Sequence, residues 1–142
     1  MTALFGYAIH SAMHELAIAQ KIIAAADKAA EKNGIKSVRI LRLRLGRMAA
    51  AHKEQLEFGF ATYAKGSRLE NAKLEVEEVM VELECERCRM LFNDVRFEDH
   101  DFAHTVAHAP MAYIAPACPK CGSEGAKVVR GQEMELIDLE GE

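Results

Sequence analysis

The four cysteines of this 142-residue chain are the residues best suited to chemistry, because they fall in two pairs with the same short spacing. One pair is Cys85 and Cys88, and the other is Cys118 and Cys121. Two intervening residues let one tight turn direct both sulfurs at a single cation, and two such turns complete a tetrahedral thiolate shell. The spacing therefore predicts a structural zinc site. Four cysteine ligands leave no open coordination position, which argues against catalytic zinc.

The length of the cysteine module also favours a structural metal. From Cys85 to Cys121 it is shorter than the ~40 residues below which a chain usually needs a metal, disulfide or partner to fold. Gly122 follows the last cysteine and allows the backbone to turn back, so that amides can face the sulfurs. The alternative is thiol redox chemistry, in which one such pair opens a helix of a thioredoxin-like fold. Neither pair lies in a βαβ pattern, which favours zinc.

Histidines form the second group of candidate metal ligands. His14 and Glu15 stand at the start of a predicted helix, where an exposed histidine beside a carboxylate that suits the helix dipole is the simpler interpretation. His100, His104 and His108 are spaced by four, so on a helix they would share one face and could bind a transition metal. In an acidic loop, ordinary surface histidines are an equally good interpretation.

Two predicted helices support these residues. Apolar residues at helical spacing predict a first helix over 13–33, with Ser11 able to cap its start and Gly34 at its end. A shorter second helix is predicted over 53–65, with Gly66 as its stop. The apolar positions expected on one face are Leu16, Ala19, Ile22, Ile23, Ala26 and Ala30 in the first helix, and Leu56, Phe60 and Tyr63 in the second.

Three stretches alternate apolar and polar residues in the manner of strands. The first covers 37–45 and has a phase slip at Ile40, which indicates a bulge or burial on both faces. The second covers 73–85 and needs a bulge near Glu77, and the third covers 131–142. The stretch between the two cysteine pairs has no sustained periodicity and is predicted to be a loop.

The order of these elements predicts an α+β fold, in which a small three-stranded sheet with two helices carries an inserted zinc-ribbon domain with four cysteine ligands. A module that leaves from one strand and returns to another is an insertion, so the last strand is expected to rejoin the first sheet. The predicted α/β domain covers 1–83 and 131–142, with 1–12 as an extension. The zinc ribbon covers 84–130.

Composition and charge limit the class of protein. Half of the residues are hydrophobic and 6% are aromatic, an ordinary globular composition, and the formal net charge of −4 argues against a non-specific nucleic-acid binder. No basic leader precedes an apolar core at the N terminus, and no run approaches the ~20 apolar residues that a membrane span needs. We therefore expect a cytoplasmic protein without a membrane partner. In a reducing compartment, paired cysteines indicate metal or redox chemistry before structural disulfides.

A zinc-ribbon module that binds nucleic acid, such as a transcription-related module, is the alternative function. Its phosphate contacts would come from the arginines in and just after the first predicted strand: Arg39, Arg42, Arg44 and Arg47. The acidic total favours a solvated strand face instead. A redox enzyme is a third possibility and would require thiols that cycle without zinc. No nucleophile elbow, phosphate-binding glycine loop or His-Glu-x-x-His pattern occurs in the chain.

Three features together resemble the HypA/HybF family of hydrogenase nickel-incorporation proteins. They are the Met-His-Glu-Leu sequence that begins at Met13, the LGRM sequence that ends at Met48, and the two cysteine pairs, the second within CPKCGS. The resemblance implies a nickel metallochaperone rather than an enzyme. A nickel-binding α/β domain would use Met13, His14 and Glu15, and the four cysteines would hold zinc in a separate ribbon.

The resemblance also implies a cargo and partners. The protein would act together with the GTPase HypB to pass nickel to the precursor of the [NiFe]-hydrogenase large subunit. It would be a monomer or a homodimer. One departure concerns Met13, because the family's motif begins at the first residue whereas twelve residues precede it here. A peptide nitrogen is a poorer ligand than an amine, so nickel binding is expected to be weakened or rearranged. His10 and the loop histidines, His100, His104 and His108, are the candidates to join the site.

Overall fold

A computed structural model describes residues 2–8, 15–49 and 53–142. For residues 4–8, 15 and 16 it describes the backbone only. The described residues form two compact units. The first unit takes the described residues of Met1–Leu45, Ala50–Glu77 and Met134–Glu142, and the second takes Gly46–Ala49 and Glu78–Glu133. The helices and strands are β1 Thr2–Ala8, α1 Glu15–Lys32, β2 Val38–Gly46, α2 Lys53–Tyr63, β3 Lys73–Val79, β4 Glu82–Glu84, β5 Leu91–Asn93, α3 His100–His108, β6 Lys127–Arg130 and β7 Met134–Gly141.

The first unit is a four-stranded sheet with two helices. The strand order is β1-β7-β2-β3, and β7 runs antiparallel to both of its neighbours. The prediction that the last strand rejoins the first sheet is therefore confirmed, and β7 lies inside that sheet. The prediction of three strands was wrong, because Thr2–Ala8 of the N-terminal extension pairs with β7 and adds a fourth strand.

Helix α1 supplies much of the core of the first unit, as its periodicity predicted. Five of the positions predicted for its apolar face are buried, namely Ala19, Ile22, Ile23, Ala26 and Ala30. The helix contacts α2, β1 and β7. The helix ends at Lys32, and Gly34 just beyond it has the expected left-handed conformation, with a φ of 69°. The N–H of Gly34 donates to the carbonyl of Glu31 and that of Ile35 to Ala30, a Schellman arrangement that satisfies the last carbonyls. The predicted cap at Ser11 lies outside the described residues.

The sheet carries its apolar residues on one face and its charges on the other. Leu41, Leu43 and Leu45 of β2 are buried, as predicted from their alternation. The expected irregularity is also present, because the register between β2 and β7 shifts between Val38 and Ile40. In α2 the burial of Leu56 and Phe60 is confirmed, whereas Tyr63 was wrongly placed and is exposed at the end of the helix.

The second unit contains a three-stranded antiparallel sheet in the order β5-β4-β6. Its hydrophobic core consists of Met48, Val81, Leu83, Phe97, Ala103 and Val106. The prediction that the cysteine module is too short to form a hydrophobic core was therefore wrong, because it treated the module as ending at the cysteines. The unit extends beyond the cysteines and takes three of these six residues from segments that precede Cys85.

Two stretches of the chain, 73–85 and the segment between the cysteine pairs, differ from the predicted elements. The single strand expected over 73–85 is two strands, because Met80 and Val81 separate β3 of one sheet from β4 of the other. The change of phase falls between Val76 and Val79, which both lie in β3, so the bulge near Glu77 stays a prediction. The predicted loop between the cysteine pairs contains β5, α3 and two short 3-10 helices.

The boundaries of the compact units also differ from those predicted for the domains. The chain passes between units at 77/78 and 133/134, and the short segment 46–49 belongs to the second unit. The predicted boundaries were 83/84 and 130/131. Strand pairing explains the difference, because β4 pairs with β5 and β6 rather than with the first sheet.

Candidate metal centre

Each cysteine pair forms a tight turn that reverses the chain. In the first turn, which follows β4, the N–H of Cys88 points at Sγ of Cys85 over 3.5 Å. In the second, the N–H of Lys120 points at Sγ of Cys118 over 3.4 Å. The two turns therefore direct backbone amides at one sulfur each, an arrangement that stabilises a thiolate.

The four cysteine sulfurs lie close together in one cluster. Every pair of sulfurs lies within 4.8 Å, and two of the pairs, Cys85 with Cys121 and Cys88 with Cys118, are 3.6 Å apart. Zinc–sulfur bonds of ~2.3 Å in a tetrahedron require sulfurs about 3.8 Å apart, so the observed cluster fits a zinc ion. Cys85 and Cys118 are buried while Cys121 is exposed, as expected for a metal at the rim of a small unit. The prediction of a structural zinc site on these four residues is confirmed at the level of its donor set.

The ionisation of the cysteines agrees with this assignment. The N–H of Cys88 is the main cause that lowers the pKa of Cys85 to about 6, and burial opposes it only in part. Backbone amides that follow Cys118 likewise hold the pKa of its thiol below its usual value. For Cys88 the N–H of Met90 lowers the pKa, but burial and the neighbouring thiols raise it to about 11. Four thiols this close cannot all ionise without a cation between them, and a divalent metal supplies that charge.

A buried polar network supports the segment between the cysteine pairs. The Asp94 carboxylate is 3% exposed and accepts hydrogen bonds from the Arg96 guanidinium at 2.7 Å and from the Tyr113 hydroxyl at 2.7 Å. Burial raises the pKa of Asp94, but these two donors outweigh it and hold the pKa below its usual value. Sequence reasoning missed this network, because its members are up to 19 residues apart and follow no periodic pattern.

The three loop histidines lie on a helix, α3. Asp99 caps that helix, since its carboxylate accepts from the N–H of Asp101 and of Phe102. An Asp followed three and four residues later by apolar Phe102 and Ala103 was a usable start signal in the sequence. His104 and His108 contact each other through Nε2 atoms that are 2.7 Å apart.

The predicted nickel ligands are described only in part. Met13 and His14 lie outside the described residues, as does His10, and Glu15 is the first residue of α1. The assignment of Met13, His14 and Glu15 to nickel remains a prediction. Among the described residues, the one group of three or more close metal ligands is the four-cysteine cluster.

Three of the arginines proposed to contact phosphates are engaged with carboxylates instead. Arg42 donates to Asp138 at 2.8 Å and to Glu140 at 2.6 Å, and hydrogen bonds with these carboxylates hold its pKa above the usual value. Further ion pairs join Arg44 to Glu135 and Glu77, and Arg47 to Glu78. Because these guanidinium groups are already neutralised, the strand offers little free positive charge to a phosphate backbone. The observation disfavours the nucleic-acid alternative.

The fold and the site together define a two-unit α+β protein in which a separate unit carries a closed four-cysteine metal centre. A family model described as "Hydrogenase/urease nickel incorporation, metallochaperone, hypA" matches residues 13–141. The chain belongs to this HypA family, and the resemblance noted in the sequence is thereby confirmed. Within the described part of the chain, no helix has the length and apolar character that crossing a bilayer requires.

Individual relatives agree with this assignment. The chain is 38% identical over 130 residues to the hydrogenase maturation factor HypA of Roseiflexus sp. (strain RS-1), a match that covers 92% of this chain and 93% of that protein. It is 37% identical over 129 residues to the hydrogenase maturation factor HypA of Methanosarcina mazei, with 90% and 92% covered. The solution structure of the Ni metallochaperone HypA from Helicobacter pylori is similar, with a TM-score of 0.58 and 26% identity over 91% of this chain and 97% of that one.

Proposed function

We propose that the chain is a metallochaperone that binds Ni(II) near Met13, His14 and Glu15 and delivers it during maturation of [NiFe]-hydrogenase. The observation that carries the proposal is the family match, which begins at Met13 and continues to residue 141. A family of nickel-incorporation proteins needs a site from which the metal can leave. The cluster of cysteines is a poor candidate for that site, because four sulfurs fill a tetrahedral shell and leave no position for an incoming ligand.

The two metals are thus assigned to two kinds of donor. Imidazole and backbone nitrogen suit Ni(II), whereas thiolates in a tetrahedron suit zinc. Zinc stays with the protein as its structural cofactor, and nickel is the cargo. The protein has no catalytic turnover of its own, and His14 is its principal nickel ligand, with Met13 and Glu15 beside it.

Transfer of the cargo needs partners. A HypB-type GTPase and the precursor of the [NiFe]-hydrogenase large subunit are the proposed ones, with transfer taking place in the cytoplasm. The family description includes urease as well as hydrogenase, so a urease precursor is the comparison partner in any transfer assay.

The N-terminal extension modifies the nickel site. Residues 2–8 belong to the first unit as β1, and a chain that retains them has a peptide nitrogen at Met13 rather than an amine. A free α-amine has a reference pKa of about 7.7–8.0 and becomes a ligand near neutral pH, whereas a peptide nitrogen must lose a much more tightly held proton. We expect the full chain to bind nickel more weakly than a chain that begins at Met13.

The test is a calorimetric titration of Ni(II) into zinc-loaded protein, with zinc content measured before and after. We expect His14→Gln to weaken binding at the N-terminal site at least tenfold, and a chain that starts at Met13 to bind more tightly than the full chain. Lys21→Gln, on the solvent side of α1, is the control that changes charge without removing a ligand. Equal nickel affinity in the His14 variant and the parent would refute the assignment of His14.

A further inference from the structure

An apolar groove in the second unit lies between α3 and the segment that follows this helix. One wall carries Phe102 and Val106 of α3, and the other carries Ala112 and Ile114. The volume of the groove is about 280 Å³. An engineered apolar cavity of ~150 Å³ binds benzene, whereas pockets for cofactors and drug-sized ligands begin at about 300 Å³. The groove therefore fits one or two apolar side chains better than a whole cofactor.

The apolar surface continues beyond this groove. Met111 is 97% exposed, and Val95 and Ile114 are also largely exposed. Val95 precedes Arg96 and Met111 precedes Ala112, and both Arg96 and Ala112 line the groove. Exposed apolar side chains gathered around a groove are typical of a surface that binds another molecule. A small molecule in the groove would leave Val95 and Met111 in water, whereas a segment of protein can cover them as well.

Arg96 places a cation at one end of the groove. Its guanidinium carbon lies 4.9 Å from the centre of the Phe102 ring, and its Nη2 donates to the carbonyl of Ile114 at 2.9 Å, so it contacts both walls. Nε and Nη2 bind the Asp94 carboxylate, whereas the hydrogen bonds formed among the described residues leave Nη1 without an acceptor. Asp94 is buried and Arg96 is half exposed. The outer side of this ion pair is therefore positive and suits a carboxylate.

The length of the groove limits the spacing of the groups that can occupy it. Phe102 and Ala109 both line it and are seven residues apart, which corresponds to about 10 Å along a helix. In an extended segment, side chains two positions apart point to the same side and are separated by about 6.6 Å. An apolar side chain between Val106 and Ala112 therefore leaves the residue two positions away beside Arg96.

We propose that this groove docks an extended segment of a partner protein, in which an apolar residue and an acidic residue are two positions apart. The apolar side chain fills the groove against Val106 and Ala112, and the carboxylate accepts a hydrogen bond from Nη1 of Arg96. Charge complementarity selects the acidic residue, because Arg96 alone is charged among the described residues that line the groove. The docking surface uses neither the cysteines nor the proposed nickel ligands, so it does not depend on the nickel assignment.

The experiment uses the full zinc-loaded chain, labelled with nitrogen-15, and the peptide acetyl-Ala-Leu-Ala-Glu-Ala-amide as the probe. Titrations are followed by amide chemical shifts, which should change at the groove and little in the first unit. Affinity should be in the millimolar range, because a short flexible peptide loses much of its freedom on binding. A peptide with Gln in place of Glu should bind about threefold more weakly, the effect of one charge-assisted hydrogen bond at a half-exposed site. Peptides with Lys in place of Glu, or Ser in place of Leu, should bind more weakly still.

Two matched variants of the protein test the groove itself. Ala112→Leu fills the groove from an exposed position, and Ala61→Leu makes the same change at an exposed position of α2 in the first unit. We expect Ala112→Leu to abolish peptide binding and Ala61→Leu to leave it unchanged, with circular dichroism and zinc content verifying that both are folded. No shifts with the Glu peptide, equal binding of the Glu and Lys peptides, or unchanged binding by Ala112→Leu would overturn the proposal. Sedimentation velocity tests the other occupant, since a parent dimer that Ala112→Leu dissociates would assign the groove to a second copy and also overturn it.

Discussion

Arg89 and Gly122 occupy equivalent positions in the two cysteine turns. Each lies four residues after the first cysteine of its pair and donates its N–H to that cysteine's carbonyl over 2.9 Å. Each is also left-handed, with φ of 66° at Arg89 and 73° at Gly122. Glycine adopts this conformation freely, whereas a residue with a Cβ does so at a cost of about 1–2 kcal/mol. The first turn therefore tolerates a strain that the second avoids.

We predict that Arg89→Gly stabilises the second unit by about 0.5–1 kcal/mol. The relief of the left-handed arginine exceeds the extra freedom that glycine has in the unfolded chain. The ion pair of Arg89 with Glu84 is lost, but it is exposed and contributes little. Gly122→Ala is the converse variant and should cost about 1 kcal/mol, since open space surrounds its Cβ and only the backbone opposes it. Urea unfolding of zinc-loaded protein measures both, and a destabilised Arg89→Gly would contradict the argument.

Removal of zinc should unfold the second unit selectively. The two cysteine turns hold β4, β5 and β6 together, and the ion supplies the charge that lets four thiolates lie within 4.8 Å. After treatment with a strong chelator, amide hydrogen exchange should accelerate in β4 and β6. Amides of α1 and β2 are the internal control and should keep most of their protection. Equal loss in both units would show that the two unfold as one.

Phe97 is predicted to be the most sensitive apolar position of the second unit. Its side chain is fully buried, and its ring lies 5.1 Å from that of Phe102 and 5.3 Å from that of Tyr113. Phe97→Ala should cost about 3–5 kcal/mol through lost burial and the cavity that remains. Val95→Ala, two residues away and 70% exposed, should cost less than ~0.5 kcal/mol. Denaturant unfolding of the two variants side by side provides the comparison.

Tyr113→Phe should lower the free energy of unfolding by about 1 kcal/mol. This loss should be the same at about pH 6 and at about pH 9. The folded pKa of Asp94 is lowered, so its contribution is present above the unfolded pKa of ~3.9 and is lost only as pH falls through the folded value. Burial and the hydrogen bond to Asp94 raise the pKa of Tyr113, so its contribution is present below the unfolded pKa of ~10. Unfolding free energies at the two pH values test this. If the destabilisation by Tyr113→Phe is smaller at the higher pH, the phenol ionises within this pH range and the prediction is contradicted.

Short-range patterns explain which parts of the structure were predictable. The cysteine spacing specifies a turn within four residues, and the alternation of Leu41, Leu43 and Leu45 specifies which face of β2 is buried. Helix α3 was not predicted, because it is short and its contacts with the core come from Phe102, Ala103 and Val106. Three apolar residues give too weak a helical periodicity to predict a helix. The histidines and acids on its other face resemble a solvated loop.

Long-range relationships explain the rest. The change of sheet at Met80 is invisible in a sequence that keeps alternating, since both β3 and β4 have the same period. The pairing of β1 with β7 joins residues at opposite ends of the chain, and no local signal specifies that partner. The network of Asp94, Arg96 and Tyr113 depends in the same way on a contact that only the folded unit brings about.

The second unit is not a continuous cassette. Its core includes Met48, which lies in the four-residue segment 46–49 at the end of β2. The residues that the structure describes on either side of this segment belong to the first unit. A graft of residues 84–130 alone would carry every cysteine and yet leave behind Met48, Val81 and Leu83. Any chimera that transplants the metal ribbon into another scaffold must therefore bring two stretches, 46–49 and 78–133. Recombination between relatives at a single breakpoint between residues 49 and 78 would separate the zinc ligands from Met48 of their own core.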